Sequence, residues 1–212
     1  MKAKMLLFTI FCSVFLLLLS PFQENMYTFA MSSAKEDIAD LQDRLSSLGF
    51  SPGNQTGVLT EETKQAIVQF QKSNELPSSG SVSEQTKREL HMATLTKEDV
   101  QMMAKIVYGE ARGESLKGQV AVAAVIINRL QADGFPNTIE DIIFQKNAFT
   151  AISDGQYQLT PDEEAYEAVY YAIRGWDPTG RALYYYNPDI ATSQWIFTRN
   201  TITRIGQHVF AQ

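Results

Sequence analysis

A run of small and branched apolar side chains, VAVAAVII within Leu116 to Leu130, has to be hidden from water on every side. It lies between Gly113 and Gly134, a span too long for an ordinary strand and long enough for a helix, although its periodicity alone does not separate the two. The alanines let such a helix sit at the centre of a domain, with other elements packed around it. Upstream, Thr96 starts a helix as N-cap with Asp99 three positions on, a variant of the capping box. Downstream, Thr138 caps the short helix IEDIIF, and KNAFTAISDGQYQ reads as a polar and aromatic loop. Thr160 as N-cap, Pro161 at the first helical position and three acidic residues then open a helix that Gly175 ends. From Arg181 onward ALYYYNP, SQWIF and ITRIGQHVF are aromatic and β-branched, which suits short strands or extended segments. The expected class is α+β, mostly helical with a small β element.

The first residues, MKAKMLLFTIFCSVFLLLLS, join Lys2 and Lys4 to an uncharged apolar run, the layout of an export leader. Residues 1–31 are read as a signal peptide or, if uncleaved, an anchor; the run is short for a membrane-spanning helix. The single cysteine, Cys12, lies inside that run. An exported remainder would therefore have no disulfide, no thiolate metal site and no cysteine nucleophile. His91 and His208 have no metal-ligand spacing, so neither a metal nor a cofactor is expected. A net charge of −6 without a Lys/Arg cluster argues against nucleic acid as a partner.

Between the leader and position 92, two stretches repeat: GVLTEETKQAI from Gly57 and GSVSEQTKREL from Gly80. Each is a turn followed by a helix start, with Thr60 or Ser83 as N-cap and Glu61 or Glu84 where the helix dipole favours an anion. Ile38, Leu41, Gln42, Leu45 and Leu48 follow helical spacing up to Gly49. Residues 35–92 thus form a small three-helix module. Residues 95–212 form the larger domain.

The word VYGEARGES, Val107 to Ser115, places a carboxylate where apolar side chains are due. At about 100° per residue, Met103, Ala104, Val107 and Ala111 share one face, and Glu110 falls at its edge. A carboxyl half removed from water can retain a proton for a leaving oxygen. Gly109 and Gly113 each weaken the helix by roughly 1 kcal/mol relative to alanine, tolerable if something approaches the backbone closely or the helix is ending. Glu114 is read as serving a turn or the start of the following helix, Arg112 as a surface or ion-pairing residue, and His208 as structural. Trp176 and Trp195 are expected in the core.

LQDRLSSLGF, Gly57 and the Thr63, Ala66, Ile67, Phe70, Gln71 pattern resemble the three-helix peptidoglycan-binding domain. MAKIVYGEARGES, QVAVAAVIINR, FPNTIEDIIFQ, AFTAISDGQ, GWDPTGRALYYYNP and IGQHVFA resemble the cell-wall hydrolase domain of SleB-like spore cortex-lytic enzymes. The resemblance implies a lysozyme-like, resuscitation-factor-like catalytic domain acting on peptidoglycan, usually spore cortex, by lytic transglycosylase chemistry. It also implies an exported location and, for some members, a partner protein in the spore. The family's catalytic glutamate, the first in Y-G-E-A-R-G-E, maps onto Glu110. Phe149, Thr150, Asp154 and Gln156 in one loop, and Tyr185, Tyr186 and Asn187 in another, are the candidate glycan contacts, since sugar rings offer apolar faces to aromatics and hydroxyls to amides. Strand alternation allows only one face of Tyr184 to Tyr186 to meet a cleft. Asp154 would be the second carboxylate of an inverting hydrolase, though an Asp before Gly more often makes a turn. Lys146-Asn147 stands where the family often has Pro-Gly. The competing reading is a wall-binding structural protein without activity.

Overall fold

The computed structural model describes the backbone of residues 21–212 and the side chains from Ala34 onward. Most of the leader expected over 1–31, with Cys12, lies outside these described residues. Among the described residues no helix is long and apolar enough to cross a membrane.

The N-terminal unit is built from α1 (Pro21–Ser47), α2 (Glu61–Ser73) and α3 (Glu84–Ala93). α1 starts well before the helical spacing at Ile38 and runs through the position expected to separate leader from module. Thr60 and Ser83 cap α2 and α3, accepting from the Thr63 and Thr86 amides. Two buried glutamines explain why the turn–helix pattern occurs twice. Gln42 donates to Val58 O and Thr63 Oγ1 and accepts from Gly57 N. Gln71 does the same with Ser81 O, Thr86 Oγ1 and Gly80 N. Each amide satisfies all the polar groups of one glycine turn that would otherwise be buried unpaired. Leu41, Leu45, Ile67, Phe70 and Leu90 close the small core.

The C-terminal unit comprises α4 (Lys97–Ala111), α5 (Leu116–Gln131), α6 (Ile139–Phe144), α7 (Thr150–Ser153), α8 (Glu163–Ile173), and the strands β1 (Tyr184–Tyr186), β2 (Thr201–Ile205) and β3 (His208–Ala211). The strands form an antiparallel sheet in the order β1-β3-β2. Every residue of α5 from Gly118 to Ile127 is buried. Its two sides meet different layers, which is why the apolar run has no period. Val120, Val122, Ala123 and Ile126 pack into the helical core with α4, α6 and α8, whereas Ala121 and Val125 pack on Ala182, Ile205 and Phe210 beneath the sheet.

The Thr96–Asp99 capping box and the Thr138 cap form as the sequence predicts. α8 differs. Its N-cap is Asp162, accepting from Ala165 N at 2.9 Å, so Thr160 and Pro161 stay outside the helix. The polar loop before α8 contains α7 and a 3-10 turn at Gln156–Gln158, and SQWIF carries a 3-10 turn at Ile196–Thr198 instead of a strand. Neither tryptophan is in the core: Trp176 is 41% and Trp195 50% exposed. Both keep one edge packed, on Tyr171 and Tyr184, which accommodates a large ring without full burial.

The two units touch. Arg88 bonds Asp133 at 2.6 Å, Asn137 donates to Glu84 at 2.6 Å, and Met92 and Leu95 pack against the larger core.

Candidate active site

Glu110 lies in the last turn of α4, anchored by the buried Ile106, Val107 and Ala111, and is half-buried. Ala151 N donates to its Oε1 at 2.6 Å, and Thr150 Oγ1 lies 3.0 and 2.9 Å from the two carboxylate oxygens. Both partners come from the first turn of α7. That short helix can reach Glu110 because position 109 is glycine. A Cβ there would stand 2.6 Å from Ala151 Cβ and 3.4 Å from Gln156 Cβ, so any side chain would push α7 away. Gly113, by contrast, has nothing within 4 Å and marks the helix end. The turn before α7 uses Asn147 at φ 61, a left-handed conformation that asparagine tolerates better than most side chains.

Behind Glu110 stands Tyr185 of β1. Its hydroxyl is buried against Glu110, and burial first of all, then the Glu110 charge, pushes the phenol well above its ordinary pKa. Tyr185 therefore remains an O–H donor throughout the working pH range. Arg129, the cation within the apolar α5, is 5% exposed. Its Nε donates to Leu183 O at 2.8 Å, and its guanidinium lies 5.0 Å from the Phe149 ring, 5.5 Å from Phe135 and 5.8 Å from Tyr184. Burial pulls its pKa down; Tyr185, Tyr184 and Glu110 oppose that.

The second glutamate of the GEARGE word is not a simple turn residue. The Glu114 side chain is 9% exposed, and its Oε1 accepts from Gln207 N at 3.1 Å and lies 3.7 Å from His208 Nδ1. A Cβ on Gly206, at φ +58, would overlap the Glu114 carboxylate. Hence the GEARGE and IGQH words are halves of one contact between the start of α5 and the β2–β3 turn. The His208 ring meets Tyr185 edge-on at 5.3 Å, and burial first of all keeps the imidazole below its usual pKa despite Glu114 and Glu110.

The candidate contacts separate into groups. Thr150 is exposed and on Glu110. Tyr185 is beside it. Phe149 departs from the expected sugar-facing ring: it is 4% exposed, packed against Arg129 and Tyr185, and forms the floor under the site. Asp154 makes the turn that an Asp before Gly is expected to make. Its Oδ1 accepts from Gln156 N at 3.0 Å and its Oδ2 from Gln156 Nε2 at 2.5 Å, bonds that hold it below its usual pKa and tie it to the turn. Gln156 also bonds Arg112, so both serve α7 placement. Tyr186, one residue from Tyr185, points to the opposite sheet face and packs edge-on against Phe197 at 5.3 Å. Asn187 accepts from Asp189 N and donates to Gln207, closing the β1 exit. Arg129 and Glu114 are absent from the sequence-derived set. Arg129 could have been found as the charge in the VAVAAVII helix, while the partners of Glu114 lie too far along the chain to be read. Among the described residues no cluster of His, Asp and Glu is arranged to hold a metal.

A family model for cell wall hydrolases matches residues 113–211, and one for a peptidoglycan binding domain matches residues 34–90. A spore cortex-lytic enzyme of Bacillus cereus is 43% identical over 84% of this chain and 83% of its own length. The chain belongs to the spore cortex-lytic enzyme family. Another member, from Oceanobacillus iheyensis, is 60% identical over 54% of this chain and 41% of its own. Two solved structures of family catalytic domains are similar to a little over half of this chain. The B. cereus SleB domain gives a TM-score of 0.54 at 58% identity, covering 56% of this chain and 93% of that one. The Bacillus anthracis domain, titled a germination-specific lytic transglycosylase, gives 0.53 at 60% identity, covering 55% and 96%. The helical N-terminal unit and the helix-plus-sheet C-terminal unit are thus the family's two-part architecture.

Proposed function

We propose that this protein is an exported peptidoglycan lytic transglycosylase that cuts the glycan strand between N-acetylmuramic acid and N-acetylglucosamine in spore cortex or cell wall. Residues 35–92 hold the wall and residues 95–212 carry the reaction. The observation that carries the reading is the Glu110 carboxylate, half out of water and fixed by Ala151 N and Thr150 at the end of a buried helix face. The names of the B. cereus and B. anthracis relatives support the substrate class and the reaction type.

One carboxyl suffices for this chemistry. Ala151 N–H occupies Oε1 as a fixed donor, so the proton is carried on Oε2, with the Thr150 hydroxyl able to turn as donor or acceptor. Glu110 gives that proton to the glycosidic oxygen as the C1–O bond breaks. The muramyl C6 hydroxyl then attacks C1 and returns its proton to Glu110, forming a 1,6-anhydro ring without consuming water. The buried Arg129 charge and the Tyr185 hydroxyl stand behind the carboxylate left between the two transfers. Asp154, engaged by Gln156 through both oxygens, is left out of the reaction, whereas an inverting hydrolase would need a second carboxylate.

Glu110→Gln is nearly isosteric and keeps an acceptor for Ala151 N. It is expected to lower release of soluble fragments from purified sacculi by at least a thousandfold while leaving the melting temperature within about 2 °C of wild type. Retained release by this variant would remove Glu110 from the reaction. Deleting the residues before Leu95 is expected to weaken co-sedimentation with sacculi; unchanged binding would refute the role given to the module.

A further inference from the structure

The segment Ile190 to Thr198 is unusual for an exposed surface. It contains no charged residue, yet Ile190 is 77%, Trp195 50% and Phe197 44% exposed, with only Ile196 turned into the core. Trp195 is nonetheless held firmly. Its ring meets Tyr184 edge-on at 5.2 Å, and the Arg199 guanidinium lies 4.6 Å from its centroid. The Arg199 guanidinium also donates from Nη2 to Thr198 Oγ1 at 3.2 Å, which holds it over the ring. Phe197 is similarly propped edge-on by Tyr186.

The ridge rests on Tyr184 and Tyr186, which alternate with Tyr185 on β1, and is linked to the site through packed, buried side chains. Tyr184 touches Trp195 on one side and the Arg129 guanidinium on another. Arg129 lies over Phe149, whose neighbour Thr150 bonds Glu110. A linear polymer seated at Glu110 would reach this ridge by passing the free edge of β1, the edge strand of the sheet. Its chemistry selects the occupant: an indole held rigid presents a flat apolar plane, and Thr192, Ser193 and Gln194 beside it are exposed hydroxyl and amide groups. Flat apolar faces rimmed by hydroxyls are what a pyranose ring offers. An anionic lipid or nucleic-acid surface would call for clustered Lys and Arg, which the segment does not have.

We propose that Trp195, braced by Tyr184 and Arg199, is a sugar-stacking platform that binds a pyranose ring of the glycan strand beyond the Glu110 subsite. The proposal rests on the peptidoglycan reading above, but its test does not require turnover. The sequence has two tryptophans, so Glu110→Gln/Trp176→Phe emits from Trp195 alone and Glu110→Gln/Trp195→Phe from Trp176 alone. Titrated with peptide-stripped glycan strands released from sacculi, the first is expected to show a saturable change in emission and the second none. In the active enzyme, Trp195→Ala is expected to raise KM at least fivefold with kcat within twofold, and Trp195→Phe, which keeps a ring and the packing, to lie between. Unmoved Trp195 emission at strand concentrations that saturate cleavage would overturn the platform. So would a Trp195→Ala enzyme with lowered melting temperature and unchanged KM, the signature of a loop brace. If Glu110→Gln proves active, the acid/base assignment fails, and the emission titration still decides the platform.

Discussion

At the scale of single residues, the site depends on a missing side chain as much as on the carboxylate. Gly109→Ala gains roughly 1 kcal/mol of helix propensity but drives a methyl into Ala151, and overpacking of this kind costs about 1–3 kcal/mol. The expected result is a modest loss of stability with at least a tenfold fall in activity, as Thr150 and Ala151 N move off Glu110. Gly113→Ala, with open space around it, should leave activity unchanged and match or raise the melting temperature. Equal effects of the two substitutions in thermal melts and fragment release would count against the close approach of α7. The half-buried position of Glu110 at the edge of the Val107–Ala111 face is legible from helix geometry, while the role proposed for it comes from the resemblance. The exposure of Trp195 is not legible, since a large aromatic reads as core until its neighbours are known.

At the scale of elements, Glu114 ties the start of α5 to the β2–β3 turn. Removing it leaves Gln207 N without its acceptor, at a cost of about 1–3 kcal/mol. Glu114→Ala and Gly206→Ala are each expected to destabilise, and the double mutant by less than the sum, because both act on one contact. Strict additivity in urea denaturation of the full chain would refute that contact. Caps were readable wherever donor and acceptor lie three residues apart, as at Thr60, Ser83, Thr96 and Thr138. The α8 start slipped from Thr160 to Asp162 because both residue types can cap and only tertiary placement chooses. α7 is a single turn created by its packing on Gly109, so no local period announces it.

For the whole molecule, each unit has one half-buried histidine whose imidazole is held below its usual pKa. Burial is the largest cause for both His91 and His208. A folded-state pKa below the unfolded value near 6.5 means that the unfolded chain binds more protons as pH falls, so stability is full above that value and declines beneath it. The melting temperature is expected to fall from pH 7 to pH 5, and less steeply in His91→Gln/His208→Gln; an unchanged slope in that variant would assign the acid loss elsewhere. The two-unit plan was readable from two sets of motif words. The contact between the units through Arg88–Asp133 and Met92 was not, because it is long-range and partly polar. The claim that joins all three scales is that one carboxyl at position 110 moves a proton out and back without a second acid. Mass spectrometry of fragments released from purified cortex tests it most directly. The account predicts 1,6-anhydro-muramyl ends from the wild-type protein and none from Glu110→Gln; fragments ending only in reducing sugars would contradict it.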